Sequence, residues 1–170
     1  MSLPGGRERH TILVVEDFED TREMIALELR RHGYAVVEAA DGVSAVEMVK
    51  RRCPDLVLMD LSLPGRDGLS AAYRMRELEA MCHVPIVACT AHGADLHRDV
   101  ALAAGCDEYV TKPIDLALLK DVVARLLARS GGGDRGEAAA GSPRRAPKAM
   151  DDEELRDYLD GMMDRRGAPE

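Results

Sequence analysis

Leu56-Val57-Leu58-Met59, closed at once by Asp60, is the stretch that most restricts the fold of this chain. Four successive large apolar side chains with no alternation belong to a strand buried on both faces, the condition of a parallel sheet covered by helices. The carboxylate then stands at the strand's carboxyl end. Pro64 and Asp67-Gly68 turn the chain before a helical pattern opens at Leu69. Open α/β sheets bind ligands in the crevice outside those strand ends. Taken alone, Asp60 reads equally as a loop cap or as a site residue.

The pattern repeats along the chain. A β-branched run from Thr11 to Val15 ends at Glu16-Asp17, and the run from Tyr34 to Ala39 is broken by Asp41-Gly42. The run from Pro85 to Cys89 leads to Thr90, and that from Glu108 to Thr111 delivers Lys112-Pro113. The intervening segments have helical spacing. The first opens with the capping-box pattern Asp20-Thr21-Arg22-Glu23 and stops at Gly33, and the second carries Val43, Val46 and Val49. A third is expected from Leu69 to Met81 with Ala72, Met75 and Leu78 on its apolar side. A fourth, Ala-rich, runs from Asp95 to Ala104 and closes at Gly105. Asp115 caps a fifth, with Leu118, Leu119, Val122, Val123 and Leu126 as its stripe. Connections of this length exclude hairpins and call for right-handed crossovers. The expected fold class is α/β, a doubly wound five-stranded parallel sheet of flavodoxin-like order 2-1-3-4-5 with helices on both faces.

By composition, residues 1–9 form a flexible leader and 10–129 the folded domain. Residues 130–149 form a flexible linker, being rich in Gly, Ala, Pro and Arg with almost no large apolar side chain. Residues 150–166 form an amphipathic helix, with Asp151 and Glu154 as a capping box, Met150 and Leu155 at staple spacing, and a disordered end at 167–170. Leu155, Tyr158, Leu159, Met162 and Met163 share its apolar face. Two readings stay open for it: a frayed, solvated helix, or an acidic element that docks on a partner or back on the domain.

A formal charge of −8, without a basic stripe, argues against direct nucleic-acid binding. No run approaches the ~20 apolar residues of a membrane span, so no membrane role is expected. Cys53, Cys82, Cys89 and Cys106 lack C-x-x-C spacing and read as reduced thiols in the core of a cytoplasmic protein. The histidines form no metal-binding pattern.

The fold expected above gathers Glu16, Asp17, Asp60, Thr90 and Lys112 at one edge. Three carboxylates there repel one another, and a divalent cation is the natural compensation. Oxygen ligands suit Mg2+, with Mn2+ as an alternative, and Mg2+ characteristically completes its shell with water and a substrate phosphate. Lys112 can meet a phosphoryl oxygen and Thr90 can donate to another, while Asp60 is the candidate nucleophile for an aspartyl phosphate.

Ile12-Leu13-Val14-Val15-Glu16-Asp17, Asp60 with Pro64 and Asp67-Gly68, Thr90-Ala91, and the run from Ala104 to Pro113 together resemble the receiver domain of a two-component response regulator over about residues 10–129. The resemblance implies phosphotransfer to Asp60 from a phosphohistidine of a histidine kinase or a histidine phosphotransfer protein, with signalling to a downstream protein target of unknown identity. It implies Mg2+ held by Asp17, Asp60 and the backbone carbonyl of Ser62, with Glu16 acting through water. It further implies a switch pair in Thr90 and Tyr109, a cis peptide before Pro113, and Ser62 and His92 as positions that tune hydrolysis. Glu16 departs from the commoner Asp of the acidic pair. No helix-turn-helix or catalytic output domain fits the residues that follow, so a stand-alone receiver with a C-terminal extension is expected, a regulator rather than an enzyme beyond its own phosphotransfer and dephosphorylation. Two rival readings stand beside it. One is a receiver-like interaction module working without phosphorylation. The other is a haloacid-dehalogenase-type phosphatase with Asp17 as nucleophile, since Asp17-Phe18-Glu19-Asp20-Thr21 nearly matches that signature.

Overall fold

The computed structural model describes residues 9–63, 67–90, 100–131 and 150–164. Five strands, β1 (Thr11–Val15), β2 (Ala35–Ala39), β3 (Leu56–Asp60), β4 (Ile86–Thr90) and β5 (Glu108–Thr111), form one sheet. Every pairing is parallel, as the crossover lengths called for, and the order is the expected β2-β1-β3-β4-β5. The central strand β3 is buried at all five positions, which is why its sequence shows no alternation.

Helices cover both faces. On one side α1 (Glu19–Arg31) and α5 (Leu116–Gly131) pack Ile25, Leu29, Leu119, Val123 and Leu127 against Ile12, Val14, Leu56 and Leu58. On the other, α2 (Gly42–Arg51), α3 (Asp67–Glu77) and the described part of α4 (100–103) pack Ala45, Val49, Ala72, Met75 and Ala101 against Leu13, Val15, Val57, Met59 and Ala88. Neighbouring residues of one strand thus feed opposite cores, and removing one such side chain, as in Leu58→Ala, leaves a cavity costing about 2–5 kcal/mol.

Several boundaries differ from the sequence reading. Helix α1 begins at Glu19 with Phe18 as its N-cap and no side-chain cap, so Asp20 to Glu23 is not a capping box. The start is fixed instead from the preceding loop, where the Phe18 amide donates to Glu16 Oε1 at 3.1 Å. Helix α3 stops at Glu77, and a separate 3-10 turn spans Glu79–Met81. Helix α5 runs two residues past the expected domain boundary at Arg129. Val43 and Leu118, expected on apolar faces, are exposed. Asp115 caps α5 as expected, its Oδ1 accepting from the Ala117 amide at 2.9 Å, and Asp41, read only as part of a strand break, caps α2, its Oδ1 accepting from the Ser44 amide at 2.7 Å. The expected helix at 95–104 is described only from residue 100, and the leader, most of the linker and the end of the chain fall outside the described residues.

The turn after α3 is held by Arg76, whose burial has no mark in the sequence. It is 1% exposed, donates from Nε to the Gly105 carbonyl at 2.8 Å and from Nη1 to the carbonyls of Met81 and Val84, and pairs through Nη2 with Asp107 at 2.6 Å. Asp107 Oδ2 also accepts from the Ile86 amide at 2.8 Å, so one buried guanidinium ties α3 to the start of β4 and the approach to β5. Gly105 completes the fit. Its φ of 99° favours glycine, and a Cβ there would stand 2.5 Å from Arg76 Cγ.

The C-terminal segment forms α6 (Asp152–Asp164). Asp151 Oδ1 accepts from the amides of Glu153 and Glu154 at 2.9 and 2.8 Å, and Glu154 Oε2 from the Asp151 amide at 3.2 Å, the reciprocal capping box read in the sequence. The helix is docked on the domain, not solvated. Leu155, 1% exposed, lies in a cluster with Leu69, Tyr73, Val100 and Ala104. An isolated helix of this length is marginal in water, and burying one leucine stabilises by about 1.5–3 kcal/mol, which tips the balance.

The cysteines divide. Cys89 and Cys106 are buried, but Cys53 is exposed and Cys82 partly so, which corrects the expectation of four core thiols. Burial pushes the Cys89 thiol up to about 12. Two measurements follow. Iodoacetamide at pH 8, read by mass spectrometry on the native protein, should modify Cys53 and leave Cys89 and Cys106 intact. Arg76→Met should lower the urea-unfolding free energy by about 3–5 kcal/mol because the carbonyls of Gly105, Met81 and Val84 lose their donor and the ion pair with half-buried Asp107 is broken; a loss below ~1 kcal/mol would contradict the role given to Arg76.

Candidate functional site

Parallel order brings the carboxyl ends of β1, β3, β4 and β5 to one edge, with β1 beside β3 and β3 beside β4. Glu16 follows β1 and is held by its own backbone: its amide donates to the Ala39 carbonyl at 3.1 Å, and its carbonyl accepts from Arg22 Nη1 at 2.9 Å. Asp60 ends β3, level with Cys89 of β4, and its Oδ1 accepts from the Ser62 amide at 2.7 Å. Both carboxylates are only 2% exposed, whereas Asp17 is exposed.

Lys112 joins them. Its Nζ lies 2.8 Å from Glu16 Oε2 and 3.0 Å from Asp60 Oδ2. The lysine is delivered by β5, where its amide donates to the Thr90 carbonyl at 2.7 Å, and the following Lys112–Pro113 peptide is cis, as the resemblance implied. Buried carboxylates this close demand a counter-charge. Burial raises the Glu16 pKa, the hydrogen bonds from Lys112 and Phe18 oppose that, and the Asp60 charge adds to the rise. For Lys112 burial favours the neutral amine, yet the hydrogen bonds to Glu16 and Asp60 outweigh it and the ammonium is held above its ordinary value.

One ammonium does not neutralise three acids. Glu16, Asp17 and Asp60 each offer an oxygen within 4.8 Å of the others, a spacing compatible with one small cation. Hard carboxylate oxygens around a mostly dry floor fit Mg2+ or Mn2+ better than a soft-ligand metal.

Thr90 is buried at the end of β4, one residue beyond Cys89, and Tyr109 lies partly buried on β5, level with Ala88 and packed against the α2–α3 core. Ser62 is exposed and meets Asp60 through its amide. His92 lies outside the described residues. Sequence reasoning missed Gly68. A Cβ there would stand 2.1 Å from the Asp60 carbonyl oxygen, so the first turn of α3 is pressed directly on the backbone that carries Asp60. The signal was Asp67-Gly68, which the sequence reading takes as a turn and as part of the receiver resemblance without assigning Gly68 a contact with Asp60.

Comparison with known proteins agrees with this geometry. The family model described as "Response regulator receiver domain" matches residues 12–124. The transcriptional regulatory protein CseB of Streptomyces coelicolor is 37% identical over 158 residues, covering 91% of this chain and 65% of that protein. The phosphate regulon transcriptional regulatory protein PhoB of Pseudomonas aeruginosa is 39% identical over 127 residues, covering 73% of this chain and 54% of that protein. The chain therefore spans between half and two thirds of these relatives. Among solved structures, the receiver domain of the sensor histidine kinase PA1611 from Pseudomonas aeruginosa, with magnesium coordinated in its active-site cleft, superposes with a TM-score of 0.66 at 38% identity, over 71% of this chain and 98% of that one. Across residues 12–124 and around an acidic cluster at the expected strand ends, this chain belongs to the response regulator receiver domain family of two-component signalling.

Proposed function

We propose that Asp60 is the phosphoacceptor of this receiver, taking a phosphoryl group from the phosphohistidine of a histidine kinase or histidine phosphotransfer protein. An Asp60 carboxylate oxygen attacks phosphorus, the N–P bond to the donor imidazole breaks, and the imidazole leaves with its electron pair. Lys112 carries this reading: an ammonium 3.0 Å from Asp60 Oδ2 is positioned to meet a phosphoryl oxygen as charge builds there. The buried Thr90 hydroxyl, at the end of the neighbouring strand, is the second donor.

Mg2+ fits the donor set, with Asp17, Asp60 and the Ser62 carbonyl as its ligands and Glu16 behind a water, and it would supply neutralisation of the incoming phosphoryl charge. The burial of Asp60 against the exposure of Asp17 favours Asp60 over Asp17 as nucleophile, because Asp60 alone of the two is paired with Lys112. Beyond its own phosphorylation and dephosphorylation the domain is a regulator with no turnover. Ser62 and His92 are the positions that tune the lifetime of the acyl phosphate.

The output is a changed protein surface, formed by α4, β5 and α5, with Thr90 and Tyr109 as the pair that responds. A new hydrogen bond from Thr90 to the phosphoryl group biases a two-state element whose other readout is the Tyr109 ring. No helix among the described residues is long and apolar enough to cross a membrane. Residues 10–129 are the signalling domain in this reading; the full chain's formal charge of −8 without a basic stripe supports a protein-directed surface over a nucleic-acid-binding one, and four cysteines without C-x-x-C spacing support a cytoplasmic protein.

Labelling with a small phosphodonor and Mg2+, followed by site mapping, tests this. Label should fall on Asp60 and vanish in Asp60→Asn and with chelator, and Lys112→Ala should slow it by about 100-fold or more. Label on Asp17 would point to phosphatase chemistry instead, and no label at all to an interaction module independent of phosphate.

A further inference from the structure

Helix α6 touches both flanks of the Asp60 site. One wall of its groove is α3: Leu69 and Tyr73 pack on Leu155, Leu61 packs on the same cluster, and Arg74 Nη1 donates to the Met150 carbonyl. Leu61 is bonded to Asp60, and Leu69 follows Gly68, the residue pressed on the Asp60 carbonyl. The other wall is α4, through Val100 and Ala104, and from Gly105 the chain runs by way of Asp107 into β5, which carries Tyr109 and leads to Lys112. A rearrangement at Asp60 therefore has two routes to α6, through α3 and through the chain from β5 back to Ala104, joined by Arg76.

Accepting the phosphoacceptor reading of Asp60, we propose that α6 is an intrachain ligand of the α3–α4 groove whose docking is weakened when Asp60 is phosphorylated, which uncovers the groove and frees the helix. The sign follows from charge. The segment 151–164 carries seven acidic side chains against one arginine, so negative charge added at Asp60 repels it. The uncovered groove would take an acidic amphipathic helix with leucine and tyrosine at the spacing of Leu155 and Tyr158.

The chain contains no tryptophan, so Tyr158→Trp gives a single emission reporting on docking. Emission and hydrogen exchange of the α6 amides would be followed in the full chain with and without beryllium fluoride and Mg2+, with fluorine NMR recording separately whether beryllium fluoride is bound at Asp60. The expected result is exchange in α6 about ten-fold faster on binding, with a red-shifted emission. By reciprocity, Leu155→Asp, which releases α6, should tighten beryllium fluoride binding by a similar factor. Bound beryllium fluoride with unchanged α6 exchange, or unchanged affinity in Leu155→Asp, overturns the coupling while leaving the Asp60 site intact. Absence of bound fluoride overturns the site reading and the coupling with it.

Discussion

The site depends on one interaction, the bridge from Lys112 Nζ to Glu16 and Asp60. Two carboxylates almost sealed from water cannot both stay ionised side by side without a counter-charge, and desolvation of each costs several kcal/mol. The ammonium makes the arrangement tolerable but leaves a formal excess of two negative charges once exposed Asp17 is included. That residual charge is what makes the pocket a receptor: a cation can enter it, and the lysine can turn from the carboxylates to a newly arrived phosphoryl oxygen.

The rest of the fold serves to hold those groups at bonding distance. Parallel pairing sets the strand ends in one row, the Lys112 amide fastened to the Thr90 carbonyl fixes β5 against β4, and Gly68 lets α3 start in contact with the Asp60 backbone. Farther away, Arg76 spans the same two elements from below, joining α3 to Asp107 and Gly105. Helix α3 is thus fastened at its start to the Asp60 backbone and near its end to the approach to β5, and α6 lies against α3 and the chain at Val100 and Ala104.

Much of this was legible in the sequence because burial on both faces leaves a plain mark. The strands were read to within a residue, and Glu16, Asp17, Asp60, Thr90 and Lys112 came together because strand ends in a doubly wound sheet must. What stayed hidden was decided by tertiary contacts. Asp20 to Glu23 has the composition of a capping box, but the helix starts earlier because Phe18 is bound to Glu16. An arginine in an amphipathic helix reads as solvent-facing, and only the carbonyls of Met81, Val84 and Gly105 reveal why Arg76 turns inward and α3 ends early. The apolar face of α6 has the same pattern whether it meets water, a partner or its own domain, so its docking on Leu69 and Tyr73 had to be seen.

The uncompensated negative charge lies at the cluster of Glu16, Asp17 and Asp60, and Mn2+ reports on it directly through its anomalous scattering. Crystals soaked in Mn2+ should give one strong anomalous peak between the carboxylates of Asp17 and Asp60, beside the Ser62 carbonyl, with Lys112 still next to Asp60. A peak elsewhere, or none at a concentration that saturates ordinary carboxylate sites, would contradict it.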